Sequence, residues 1–72
     1  MGKLKILSGQ NICKILSNNG FIEVRRKGSH IAMQKKSSDG TVTVIIPDHK
    51  EVKTGTLMSI IRQSKIIRTE FE

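Results

Sequence analysis

The stretch Phe21-Ile22-Glu23-Val24-Arg25-Arg26-Lys27-Gly28-Ser29-His30-Ile31-Ala32-Met33-Gln34-Lys35 decides the fold of this chain. On either side of Gly28-Ser29 the residues alternate between apolar and polar, the period of an extended strand with one covered face. The break is too short for anything but a turn, so the two runs read as an antiparallel hairpin, one strand from Phe21 to Arg26 and the next from His30 to about Lys35. In the first strand Ile22 and Val24 fall on one face, with Glu23, Arg25 and Lys27 on the other. In the second, Ile31 and Met33 share a face, and His30, Ala32 and Gln34 look the opposite way. That parity takes His30 out of the core and sets it beside Arg25 and Lys27.

Working outward, Lys36-Ser37-Ser38-Asp39-Gly40 carries an Asp-Gly pair that favours a second hairpin turn. A third strand follows over Thr41–Ile46. Val42, Val44 and Ile46 join Ile31 and Met33 on the face to be covered, while Thr41 and Thr43 lie opposite. Ile45 breaks the polar pattern, which predicts that the far end of this strand is covered on both sides. Pro47 closes the strand, and Asp48 to Lys53 form a polar loop. Thr54 is placed to cap a second helix running to about Gln63, with Leu57, Ile60 and Ile61 as its buried stripe. Upstream, Ser8 caps a first helix whose stripe is Ile12, Ile15 and Leu16, with Cys13 widening it, and Asn18-Asn19-Gly20 ends it. In the tail, Thr69 with Glu72 makes a truncated capping box, enough for one short final turn. The sum is a two-layer α+β fold of α-β-β-β-α order, a three-stranded antiparallel sheet with both helices on one face, in a single domain spanning residues 1–72.

Composition narrows what such a domain can do. With 72 residues the core is thin, and the net charge of +7 asks for an anionic partner. The basic residues are spread from Lys3 to Arg68, which argues for a folded basic surface over a disordered arm. A single cysteine excludes an internal disulfide and a cysteine-based zinc site, and Cys13 reads as a small core residue. No run is long enough to span a membrane, no hydrophobic leader is evident, and Ile6 stands where the acylation pattern after Met1-Gly2 wants Ser or Thr. The expected location is the cytoplasm.

His30 is the first candidate for chemistry. Histidine ordinarily titrates near neutrality, so it can both take and give a proton there. The adjacent Arg25, Arg26 and Lys27, with Ser29 in the turn, suit a phosphate. The plainer alternatives are a strand-start histidine bonded to backbone and a solvated basic strand end. His49 is the second candidate, although for it a solvated loop residue is the stronger reading. Asp39 and Asp48 sit in different loops and Glu23 is isolated, so no carboxylate cluster is set to hold magnesium, and two histidines without a third ligand make a poor zinc site. Neither metal nor cofactor is expected. What remains is phosphoryl transfer on RNA, which brings its own nucleophile in the 2′-hydroxyl. Lys53 and Thr54, with the backbone N–H groups that follow through Gly55 and Thr56, offer a second phosphate contact at a helix start, although ordinary capping accounts for those residues equally well. Phe21 and Phe71 are the only aromatics. Neither lies mid-strand, so no base-stacking platform is expected and recognition should run through the RNA backbone.

Taken together, Asn19-Gly20-Phe21, Arg26-Lys27-Gly28-Ser29-His30, Ile46-Pro47-Asp48-His49, Lys53-Thr54-Gly55-Thr56-Leu57 and Ile60-Ile61-Arg62-Gln63 resemble the HicA family of toxins over about Ser8 to Ser64. The resemblance implies a double-stranded-RNA-binding-like fold and an mRNA-cleaving toxin of a bacterial toxin–antitoxin pair, neutralised by a HicB-type antitoxin. It places the family's catalytic histidine on His30. The chain departs from the family after the second helix, where Ser64-Lys65-Ile66-Ile67 replaces a frequent glycine and leaves the path of residues 65–72 open. Two other classes stay open at this level: a non-catalytic RNA-binding module of the same fold, and an interaction domain for an acidic partner. Against the module, the second helix lacks the lysine cluster that would grip a duplex. An acidic partner would be expected on the open sheet face around Arg25, Lys27 and His30.

Overall fold

The computed structural model describes residues 4–72; Lys3 and the Met1-Gly2 terminus, read above as unfit for acylation, lie outside the described residues. The elements in order are α1 (Gly9–Asn18), β1 (Ile22–Lys27), β2 (His30–Ser37), β3 (Gly40–Pro47), α2 (Thr54–Ser64) and a short 3-10 turn at Arg68–Phe71. The strands form one antiparallel sheet in the order β1-β2-β3. This is the α-β-β-β-α order with an open sheet that the sequence pattern gives. Among the described residues no helix is long and apolar enough to cross a membrane.

Local signals set most of the boundaries. The Ser8 hydroxyl accepts the Asn11 N–H at 3.1 Å and opens α1. At the other end the Gly20 N–H donates to the Ser17 carbonyl at 3.1 Å, and the Gly20 φ of +92° turns the next N–H, that of Phe21, back onto the Leu16 carbonyl at 3.0 Å. That closure aims Phe21 into the core, so β1 begins one residue later than the pattern predicts. Gly28 (φ +57°) leads the two-residue turn into β2. In the second hairpin the turn residues are Ser38-Asp39, and Gly40 already belongs to β3.

Both helices cover the same sheet face. Ile12 and Leu16 of α1, Ile31 and Met33 of β2, Val44 and Ile46 of β3, and Leu57 and Ile60 of α2 form one buried cluster. Removing each such side chain from water contributes about 1.5–3 kcal/mol. Cys13 sits half-buried at the edge of this cluster, where burial first and the Glu23 carboxylate second push its thiol pKa up.

Four expectations fail here, each for a physical reason. Ile22 and Val24 are not in the core but 64% and 46% exposed. A bulge at Val24 separates the Glu23–Met33 pair from the Arg25–Ala32 pair, and one extra residue reverses the facing of everything before it. Ile22 therefore joins the open face opposite Gln34, and Glu23 moves to the helix-covered side with Met33. Ile45 is half exposed on the open face instead of covered on both sides. Thr54 does not cap α2: Lys53 holds the capping position, no side chain fills the role, and Thr54 is the first helical residue. The tail turn likewise starts after Ile67 without a side-chain cap.

The open path after α2 is resolved by Lys65, which itself adopts the left-handed conformation (φ +62°) that glycine takes most easily, its N–H on the Ile61 carbonyl at 3.2 Å. The chain then turns back and buries Phe71 to 1% exposure, with the Phe71 carbonyl accepting the Lys5 N–H at 3.3 Å. Val52, in the loop expected to be polar, is buried too, its N–H bonded to the Leu7 carbonyl at 2.8 Å.

Candidate active site

His30 opens β2 between two neighbours on the open sheet face, Lys27 across on β1 and Pro47 across on β3. Residues directly opposite in a ladder share a face, so Lys27 flanks His30, and Arg25, opposite Ala32, follows one step along. The sequence placed Arg25, Lys27 and His30 on one face, and the ladder keeps them there, because the bulge lies ahead of all three.

The loop after β3 is bound to the turn before His30. The Asp48 N–H donates to the Ser29 carbonyl at 2.6 Å, and the Gly9 N–H donates to the His49 carbonyl at 2.8 Å. Gly9 is needed for that approach: a methyl there would overlap the Pro47 carbonyl oxygen and lie 2.9 Å from the Asp48 Cα. Held this way, the loop completes a cleft of about 440 Å³ lined by His30, Ile45, Pro47, His49, Glu51, Lys53 and Thr56. His49 is exposed, as a loop residue should be, yet it stands in the same cleft as His30. Sequence reasoning gives His49 as the weaker of two candidate histidines and Thr56 only through its backbone N–H, and it misses Glu51 as a cleft residue. The signal that finds His49 is the hairpin register, which puts Pro47 opposite His30 two residues before it.

The three consecutive cations are split. Arg26 pairs with Ile31 on the helix-covered side, not with His30. Its guanidinium donates to Glu23 Oε1 at 3.2 Å and to Asp48 Oδ2 at 3.0 Å, and the hydrogen bond to Glu23, ahead of the charges of both carboxylates, raises its pKa further. Arg26 thus ties the β1 edge to the loop that carries His49. Lys53 lines the cleft, and Thr54 and Gly55 open α2 beside it, exposed, with no side chain capping that helix start. The positive end of the α2 dipole therefore lies at the cleft together with the Lys53 ammonium. Among the described residues no three His, Cys, Asp or Glu side chains are grouped to hold a metal ion.

A family model described as HicA toxin of bacterial toxin-antitoxin matches residues 9–66 of the 72. The chain belongs to the HicA toxin family. A comparison with curated proteins finds none that matches it. The HicA match runs from the start of α1 to just beyond α2, so every residue lining the cleft lies within it, whereas Leu7 and Phe71 lie outside. The cleft of this HicA-family domain can do two things chemically. Its imidazoles can exchange protons with a bound molecule, and its cations can neutralise a phosphate.

Proposed function

We propose that this HicA-family domain is a metal-independent endoribonuclease, the toxin of a bacterial type II toxin–antitoxin pair acting on mRNA in the cytoplasm. His30 serves as general acid/base at the phosphodiester undergoing cleavage. Lys27 and Arg25 on one side of it, and Lys53 with the backbone N–H groups of Thr54 and Gly55 on the other, hold the phosphate and offset the charge that builds on it. Ser29 sets the turn that presents His30, and Arg26 contributes charge from the neighbouring edge. The observation that carries this reading is an outward-facing histidine in a cleft with a cation directly across the strand from it. A positioned proton donor or acceptor is worth about 10²–10⁴-fold in rate, and the cations supply the electrostatic part. A HicB-type antitoxin of acidic character would neutralise the domain by covering the open sheet face around Arg25, Lys27 and His30, where complementary charge favours encounter.

The test is cleavage of a long RNA by purified protein, with and without excess EDTA, for the parent and His30→Ala. The parent should cleave in chelator, and the variant should keep its circular dichroism and melting temperature while losing cleavage. Undiminished cleavage by His30→Ala would remove His30 from the chemistry. RNA binding without cleavage by the parent would leave a non-catalytic RNA-binding module instead.

A further inference from the structure

The cleft holds two imidazoles, and the reaction above gives work to one. We propose that His49 is the second proton-transfer group of the same site, so that cleavage is a two-histidine transphosphorylation leaving a 2′,3′-cyclic phosphate and a 5′-hydroxyl. The inference rests on the ribonuclease reading of this cleft.

The chemistry requires two proton transfers at different places. One imidazole takes the proton from the 2′-hydroxyl as its oxygen bonds to phosphorus. The bond from phosphorus to the 5′-oxygen breaks in line with that attack, and the departing oxygen takes a proton from a protonated imidazole. One proton enters the site's bases and one leaves, no water is consumed, and solvent restores both groups afterwards. A single side chain cannot stand at both ends of an in-line displacement at once.

The geometry supplies the second one. His49 follows by two residues the Pro47 that pairs with His30 across the strands. Its loop is anchored at each end, by Asp48 N–H on the Ser29 carbonyl (2.6 Å), Gly9 N–H on the His49 carbonyl (2.8 Å) and Val52 N–H on the Leu7 carbonyl (2.8 Å). The Arg26–Asp48 ion pair adds a side-chain tie beside it. The backbone of His49 is thus fixed relative to β2 while its side chain remains open to a ligand in the cleft. Glu51 and Lys53 are the other titratable groups lining that cleft. Lysine ordinarily titrates too high to give up and regain a proton readily near neutrality, which leaves Glu51 as the one rival.

The experiment uses an oligonucleotide spanning a cleavage position mapped on a long RNA, made with the natural linkage and with sulfur in place of the bridging 5′-oxygen. A thiolate leaves without protonation, so this substrate relieves the loss of the acid alone. On natural RNA, His30→Ala and His49→Ala should each lose 100-fold or more, with melting temperatures near the parent's. His49→Gln, which keeps the reach but shuttles no proton, should behave like His49→Ala, and Glu51→Gln should stay within threefold of the parent. With the sulfur substrate only one of the two histidine variants should recover, to within tenfold of the parent. The natural product should carry a cyclic phosphate, and a 2′-deoxy nucleotide at the cleaved position should block the reaction. Activity of His49→Ala within threefold of the parent, recovery of neither or both histidine variants, or a Glu51→Gln loss relieved by sulfur would overturn the role of His49. In those outcomes an inert His30→Ala still upholds the ribonuclease reading. A parent that does not cleave, or a fully active His30→Ala, would end that reading and the inference with it.

Discussion

Gly9→Ala should unfold this domain more readily, although alanine is the better helix former by about 1 kcal/mol. Gly9 is buried at the first position of α1, and its Cα faces the backbone at the end of β3. An added methyl would overlap the Pro47 carbonyl oxygen and stand 2.9 Å from the Asp48 Cα and 3.0 Å from the Pro47 carbonyl carbon. All three are main-chain atoms, so no side chain can swing aside. Relief must come from moving the strand end, at a cost of about 3 kcal/mol, the upper part of the range for overpacking. Subtracting the helix gain leaves a net loss of about 2 kcal/mol, or a fall of roughly 8–16 °C in melting temperature for a domain of this size. The displaced segment carries His49, and a shift of about 1 Å in a positioning element can cost on the order of 100-fold in rate. Cleavage should therefore drop even well below the melting temperature. Gly55→Ala is the matched control, since nothing lies within 4 Å of a Cβ at that helix start and the same propensity gain meets no overlap. Thermal melts monitored by circular dichroism decide the matter. A Gly9→Ala melting temperature at or above the parent's, or the same response at both glycines, would refute the reasoning.

Lys65→Gly should raise stability by about 0.5–1 kcal/mol in urea titration, because Lys65 holds φ +62°, which an L side chain resists and glycine does not. Replacing Arg25 and Lys27 together by alanine should flatten the dependence of log RNA affinity on log salt by about 1.4 for a single strand. Arg26→Ala should flatten it by less than about 0.7, the share that one phosphate-bound cation supplies, since Glu23 and Asp48 already engage that guanidinium; a full effect of about 0.7 would place the RNA across both faces. Cys13 should alkylate more slowly at pH 8 than free cysteine, since burial and then the Glu23 charge raise its pKa and so reduce the thiolate present, and denaturation in urea should remove the difference. Faster alkylation in the folded state would contradict the packing of α1 described above.

What the sequence by itself determined is what depends on neighbours a few residues apart. The Ser8 cap, the Gly20 closure of α1, the turn at Gly28-Ser29 and the alternation of β2 and β3 all follow from backbone bonding and side-chain period within one element or one hairpin. His30 with Lys27 and Arg25 on a common face belongs to the same class, because the register across a two-residue turn is fixed locally. The tertiary structure decided the rest. An alternating sequence does not reveal the bulge at Val24, since the exposure of Ile22 and Val24 depends on how β1 pairs with β2. The burial of Phe71 and Val52 requires the amino-terminal segment to lie against both, through Lys5 and Leu7. The cleft is the most tertiary feature of all. His49 and Glu51 sit in a loop with no periodicity to read, and they meet His30 because a glycine on a distant helix lets that loop pack closely enough to be held. Backbone hydrogen bonds between segments far apart in the chain carry no signature in residue order, and here they are what place the second histidine beside the first.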